Sequence, residues 1–136
     1  MDIFEQLRRD EAVRRFPYRD TAGDWTIGVG RNLSSDGLAD DEIETLLQND
    51  VKYITETLSA RLPWFQNLDA VRQAALVNMG FNLGFNGLER FPKFLAAMAQ
   101  GDWRAAAYEM QNSAWAVQVK DRATRLEQQI LTGQWQ

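Results

Sequence analysis

The chain has 136 residues, 45% of them apolar, and contains neither cysteine nor histidine. This composition predicts one small globular domain, and it excludes disulfides, Ser-His-Asp triads, Cys-His nucleophile pairs and histidine-ligated zinc. The net charge of -4 argues against a nucleic-acid partner, because such a protein would carry a basic stripe.

The first predicted element is a short helix. Asp2 and Glu5 have the spacing of a capping box, which predicts that the helix begins there and ends near Val13. At about 100° per residue, Glu11 falls on the apolar face of this helix beside Leu7. Apolar surroundings favour the protonated form of a carboxyl group, which suits a general acid. The other interpretation of Glu11 is a buried acid neutralised by an arginine.

Residues 17–33 predict a β-hairpin with Gly23 at its turn. This hairpin carries a second carboxylate, Asp20, in polar surroundings that keep it ionised. Glycoside hydrolysis requires such a pair of carboxyl groups, one protonated and one ionised. Thr26 follows across the hairpin, where its hydroxyl is able to position a water molecule. By spacing alone, Thr26 is better explained as an ordinary β-branched strand residue.

Two glycines, Gly28 and Gly30, fall within one short predicted strand. Glycine weakens a strand, but it also lets a sugar or a ligand backbone approach closely. A bulge or local twist is the other interpretation, and the two are compatible.

The rest of the chain predicts helices. Residues 40–42 are all acidic, as suits a helix N-terminus, and an apolar stripe follows to about Leu58. The next helix is predicted from about Leu68 to Met79, where glycines interrupt the pattern. Shorter helices are predicted at about 92–99, 102–111 and 119–130. We therefore expect a mostly helical α+β domain with a hairpin lobe, a long helix and a helical bundle.

Five blocks of the sequence, in order, resemble the T4-type phage lysozymes. They are Met1 to Glu11, Tyr18-x-Asp20-Thr21-x-Gly23-x-x-Thr26-Ile27-Gly28-x-Gly30, Asp41 to Val51, Leu68 to Phe81, and Arg122-Ala123-x-Arg125 with Thr132-Gly133-x-Trp135. The similarity covers nearly the whole chain, although the segment after Leu33 is shorter than in the family. It implies a lysozyme-like fold, with a hairpin lobe over about 12–58 and a helical lobe formed by 1–11 and about 59–136.

The resemblance implies an endo-acting muramidase that cuts the β-1,4 bond between N-acetylmuramic acid and N-acetylglucosamine. Glu11 would protonate the glycosidic oxygen, Asp20 would direct a water molecule, and Thr26 would belong to the same site. It also implies inversion at the anomeric carbon, for which the two carboxyl groups would lie roughly 6.5–9.5 Å apart. The expected partner is bacterial peptidoglycan, bound by a monomer without cofactor or metal.

The resemblance also suggests residues around this trio. Phe81 matches a residue that lines the saccharide cleft of the family, and the amide of Asn82 suits acetamido sugars. We expect Gly30 and Asn32 to contribute to the same binding surface. Arg122 matches the arginine that pairs with the acid carboxylate in the family.

The sequence departs from the family pattern at several positions. Arg31 replaces a histidine that is common in the family, and Asn32 replaces a leucine. Asp50 lies on the apolar stripe of the long helix and should need a partner. Because the matching aspartate in the family meets that histidine, we hypothesise an Arg31–Asp50 pair that stays charged at alkaline pH. Two further saccharide contacts do not transfer, since their positions carry Phe94 and Glu109.

We expect the protein to act in phage or prophage lysis. No signal peptide and no membrane-inserting segment are expected, so the protein would remain in the bacterial cytoplasm until another protein makes lesions in the membrane. Five arginines between positions 8 and 19 predict either a local basic face or a solvated helix face. Two alternatives remain: a non-catalytic wall-binding or phage structural module with this fold, and a lytic transglycosylase or chitinase. Retention of the catalytic trio argues against the first alternative.

Overall fold

The computed structural model describes residues 1–136 and divides the chain into two compact units, Met1–Leu46 and Leu47–Gln136. The elements, in chain order, are α1 (Ile3–Glu11), β1 (Arg14–Arg19), β2 (Trp25–Gly28), β3 (Arg31–Asn32), α2 (Asp40–Arg61), a 3-10 turn (Phe65–Asn67), α3 (Ala70–Leu88), α4 (Pro92–Gln100), α5 (Trp103–Gln111), α6 (Ala114–Val119) and α7 (Asp121–Thr132). The predicted α+β class is confirmed. None of these helices combines the length and the hydropathy needed to cross a membrane.

Helix α1 begins at the predicted capping box. The Asp2 side chain accepts a hydrogen bond from the Glu5 N–H (2.8 Å), and the Glu5 side chain accepts one from the Asp2 N–H (2.9 Å). The helix ends at Glu11, two residues before the predicted end, because Ala12 adopts a φ of 64° that no helix accommodates. No residue of α1 is buried, so its apolar face is exposed to solvent.

The three strands form one antiparallel sheet in the order β1-β2-β3. Thr26 in β2 lies opposite Tyr18 on one side and opposite Asn32 on the other. Strand β1 begins at Arg14, earlier than the predicted hairpin. The sequence predicted Gly30 inside a strand, but it lies in the turn between β2 and β3. Its φ is +67°.

The second unit is a helical bundle with one apolar core. Its largest fully buried side chains are Phe65, Phe94, Leu58, Leu76, Met79, Leu88, Met98, Met110 and Ile130. Trp115 is buried in this core and Trp103 packs against it. Of the apolar stripe predicted along α2, only Ile54 and Leu58 are buried.

Helix α3 continues to Leu88, well past the predicted end at Met79. Gly80 stays helical because it packs against α2: a β-carbon at this position would lie 3.0 Å from the Ile54 side chain. The helix is kinked at Gly84, where φ is 69° and ψ is 166°.

The last predicted helix, 119–130, corresponds to α7, and the short helix α6 before it was not predicted. Helices α6 and α7 meet at Lys120, whose positive φ of 49° interrupts the helical backbone. The break arises from backbone geometry at a residue type that carries no strong breaker signal in the sequence.

Arg72 in α3 forms hydrogen bonds with the C-terminal end of α7. Its guanidinium donates to the carbonyl oxygens of Ile130 (2.7 Å) and Leu131 (3.3 Å), which are left without helical partners at a helix end. It also lies 4.1 Å from the ring centroid of Trp103 in α5. One side chain therefore connects three helices of the bundle.

Two neighbours complete the surroundings of Arg72. The Asp69 carboxylate pairs with Arg72 Nη1 at 3.1 Å. Burial raises the pKa of Asp69, but the hydrogen bonds from Arg72 lower it by more, so the pKa lies below its usual range. Gly133 ends α7 with a φ of +68°, and a β-carbon there would lie 2.7 Å from the Arg72 Nη1. The glycine is therefore required both by the backbone and by the arginine.

Candidate active site

Glu11, at the end of α1, places its carboxylate against the β2–β3 turn. A β-carbon on Gly30 would lie 2.8 Å from Glu11 Oε2 and 3.0 Å from its Cδ. The missing side chain at residue 30 therefore makes the room in which this carboxylate lies. Glu11 is exposed, so the buried apolar face from which the sequence argued an acid role is not present around it.

Asp20 is held at the hairpin turn by the backbone. Its Oδ1 accepts hydrogen bonds from the N–H groups of Ala22 (2.9 Å) and Asp24 (2.8 Å). The turn is closed by bonds from Asp20 N–H to the Asp24 carbonyl (2.9 Å) and from Gly23 N–H to the Asp20 carbonyl (3.0 Å). Oδ2 accepts none of these bonds, so one oxygen of an oriented carboxylate is available to a ligand.

Thr26 is buried, with 4% of its surface exposed. Its hydroxyl donates to the Asp24 carbonyl at 3.2 Å. A hydroxyl that donates in this way keeps its oxygen lone pairs available to accept a hydrogen bond, for example from water. Thr26 lies opposite Tyr18, two positions along the hairpin from Asp20.

Asn32 uses both ends of its amide inside the first unit. Its Nδ2 donates to Asp24 Oδ2 at 3.0 Å, and its Oδ1 accepts from the Ser35 N–H at 3.0 Å. One Nδ2 hydrogen and one Oδ1 lone pair remain, so the predicted contact between Asn32 and a sugar stays a prediction.

Arg31 pairs with Glu42, a partner that the sequence did not suggest, and its pairing with Asp50 of the second unit stays a prediction. Its Nη1 lies 2.7 Å from Glu42 Oε1 and donates to the Gly37 carbonyl at 3.1 Å. The side-chain bond from Arg31 and a backbone bond from Ala39 hold the pKa of Glu42 below its usual range. Glu42 lies in the first turn of α2, and Asp50, two turns further on, is exposed, so burial gives it no need of a partner.

Phe81 and Asn82 both lie on α3, beyond its predicted end at Met79 and before its kink at Gly84. Phe81 has 45% of its surface exposed and lines an apolar groove of about 460 Å³ in the second unit. The Asn82 side-chain oxygen accepts a hydrogen bond from Trp115 Nε1 at 2.8 Å. Phe81 thus offers an accessible ring, while Asn82 is anchored to the core.

Arg122 lines the same groove. Its guanidinium donates to the side-chain oxygen (2.8 Å) and to the backbone carbonyl (3.0 Å) of Asn78. These bonds orient Arg122 within the second unit. Its pairing with Glu11 stays a prediction.

Asp24 is the residue that the sequence analysis missed. It bonds to Asp20, Thr26 and Asn32, the three polar residues assigned to the hairpin. An acidic residue four positions after Asp20, directly behind the turn glycine, was the available signal. No group of three or more Asp, Glu, His or Cys side chains is placed so that it could hold a metal ion.

Comparison with known proteins identifies the family. The sequence model for phage lysozyme matches residues 8–129. The chain is 32% identical to the pre-baseplate central spike protein Gp5 of Enterobacteria phage T4, over 98% of this chain but only 28% of the spike protein. It is 29% and 26% identical to "Probable T4-type lysozyme 1" and "Probable T4-type lysozyme 2" of Dictyostelium discoideum, over 96% and 95% of this chain and 94% and 93% of those proteins. The chain therefore belongs to the phage lysozyme family of glycosidases, and the resemblance predicted from the sequence is confirmed.

Proposed function

We propose that this lysozyme-family chain is an endo-acting muramidase that hydrolyses the β-1,4 bond between N-acetylmuramic acid and N-acetylglucosamine. The observation that carries the proposal is the state of Asp20: two backbone N–H groups hold Oδ1, and Oδ2 accepts no hydrogen bond. An ionised carboxylate of fixed orientation is what a water-directing group requires. The Glu11 carboxylate in the same unit supplies the second group.

In the proposed reaction, Glu11 donates its proton to the glycosidic oxygen as the bond to the anomeric carbon breaks. Positive charge then develops on the sugar ring. A water molecule, held by Asp20 Oδ2 and by the lone pairs of the Thr26 hydroxyl, attacks from the opposite face. Its oxygen bonds to the anomeric carbon and its proton passes to Asp20. A single displacement of this kind inverts the configuration.

The test is digestion of purified, uncross-linked peptidoglycan, with the new ends identified by mass spectrometry and the first product anomer identified by NMR before mutarotation. We expect reducing N-acetylmuramic acid, released as the α-anomer. A β-anomer would contradict the role of Asp20, because it requires retention. An anhydro-muramic end would indicate a lytic transglycosylase, and cleavage of chitin oligomers alone would indicate a chitinase.

A second candidate is favoured by the similarity to the T4 spike protein, of which the chain spans only 28%. In that case the chain would act as a wall-binding module of a phage assembly, and catalysis would not be its task. A wild-type protein that sediments with peptidoglycan but releases no new ends would support this candidate.

Under the first proposal, another protein would give the enzyme access to the wall by opening the membrane.

A further inference from the structure

Asp24 connects the polar groups of the hairpin to one another. Its N–H donates to Asp20 Oδ1 (2.8 Å), and its carbonyl accepts from the Asp20 N–H (2.9 Å) and from the Thr26 hydroxyl (3.2 Å). The backbone of this one residue therefore contacts both groups to which we assign the water molecule. A movement of Asp24 would displace them together.

The side chain of Asp24 is fixed by a separate contact. Its Oδ2 accepts from Asn32 Nδ2 at 3.0 Å, and a hydrogen bond to an ionised acceptor is stronger than one between neutral groups. Asn32 is itself held in place, because it pairs with Thr26 across the sheet and its Oδ1 accepts from the Ser35 N–H. Asp24 and Asn32 are both partly buried, which limits competition by water.

We propose that Asn32 and Asp24 are positioning residues for Asp20. Asn32 holds the Asp24 side chain, which keeps the Asp24 N–H on Asp20 Oδ1 and leaves Asp20 Oδ2 directed at the attacking water. The leucine that the family commonly has at this position could not donate such a bond. This inference rests on the proposed role of Asp20, and it replaces sugar contact as the task of Asn32.

The two roles of Asn32 differ in their kinetic effect. Loss of a sugar contact that is equal in the ground state and the transition state raises KM and leaves kcat unchanged. Misorientation of Asp20 lowers kcat, because an error of about 1 Å in a reacting group can cost ~10²-fold in rate. Soluble, uncross-linked peptidoglycan strands allow both constants to be measured.

The variants are Asn32→Leu, Asp24→Ala and the double variant. We expect kcat to fall by about 10- to 100-fold in each single variant with KM nearly unchanged. The double variant should be no slower than the slower single variant, because Asn32→Leu and Asp24→Ala remove the same hydrogen bond. Asp24→Asn keeps an oxygen that can accept the bond from Asn32, so its kcat should lie close to that of the wild type and above that of Asp24→Ala. Ser34→Ala is the matched control, since it removes a different bond of the same loop, from the Trp25 N–H to the Ser34 hydroxyl (2.9 Å).

A second measurement does not depend on activity. Hydrogen exchange followed by NMR should show faster exchange of the Ala22 and Asp24 amides in Asn32→Leu, and no change in Ser34→Ala. Unchanged exchange, or a higher KM with unchanged kcat, would overturn the inference. If Asn32→Leu does not fold, Asp24→Ala tests the same bond from its other side. If the wild type cleaves nothing, the proposed function fails, while the exchange data still decide whether Asn32 orders the Asp20 turn.

Discussion

The Glu11 carboxylate occupies the space that a side chain at Gly30 would fill, with Oε2 2.8 Å from the position of a β-carbon. Gly28, two residues earlier, has nearly the same positive φ, +69° against +67°. A β-carbon at Gly28 would meet nothing within 4 Å. The two glycines therefore separate the effect of backbone strain from the effect of contact with Glu11.

Gly30→Ala and Gly28→Ala should each lose about 1–2 kcal/mol of stability, because alanine is strained in the left-handed region. Only Gly30→Ala should also lose activity, by at least tenfold, since the acid carboxylate has to move. Urea unfolding and peptidoglycan digestion, measured on both variants, test this. Equal activity in the two variants would show that the contact with residue 30 does not matter for catalysis.

Glu11→Gln should lower activity by about 10²–10⁴-fold, the usual range for loss of an acid–base group. Its stability should change by less than about 0.5 kcal/mol, because Glu11 is exposed. Asp10→Asn, one residue earlier on the same exposed helix end, is the control and should remain active. More than a tenth of wild-type activity in Glu11→Gln would rule out Glu11 as the acid.

The Arg31–Glu42 pair should make stability depend on pH only in the acidic range. Because the pKa of Glu42 is lower in the folded state, its stabilisation is present above the unfolded value of about 4.3 and is lost as pH falls through the folded value. Thermal melts should place Glu42→Gln below the wild type at pH 7, with the gap closing below about pH 4.

The pKa of Arg31 is raised by the hydrogen bond to Glu42, so the arginine stays charged throughout this range. Arg31→Met should therefore lower the melting temperature at pH 7 as Glu42→Gln does. The double variant should melt no lower than the single ones. A gap that persists unchanged at acidic pH would show that the stabilisation does not come from the ionised form of Glu42.

Arg72→Met should destabilise the second unit by about 2 kcal/mol, because it leaves the Ile130 and Leu131 carbonyls without their charged donor. Loss of the contact with Trp103 adds to this effect. Arg104→Met is the control, since Arg104 is an exposed residue of the same bundle. Urea unfolding of both variants measures the difference, and equal losses would contradict the role given to Arg72.

Helix starts could be predicted from the sequence because they depend on local contacts. Asp2 and Glu5 form the capping box of α1 as their spacing indicated, and Asp102 caps α5 at the start of the helix predicted over 102–111. Helix ends and kinks were predicted less well. Gly80 reads as a helix breaker but lies inside α3, where packing against Ile54 favours a residue without a side chain.

The candidate site divides in the same way. Asp20 could be predicted as a turn carboxylate because its partners lie within four residues. The pairs Asn32–Asp24 and Arg31–Glu42 could not, because they depend on the β2–β3 register and on the path of the short segment after Leu33. The family resemblance suggested Asp50 as a partner of Arg31, but it gave no sign of Glu42, which pairs with Arg31 in the structure.

The bond between Trp115 and Asn82 decides which chemical groups Asn82 can recognise. An indole N–H only donates, so the atom of Asn82 that faces it must be the amide oxygen. Both N–H groups of the amide then remain for a ligand, and the oxygen keeps one further lone pair. In the proposed site, Asn82 would therefore offer two donor positions but only one acceptor position, which suits the carbonyl or hydroxyl oxygen of an acetamido sugar.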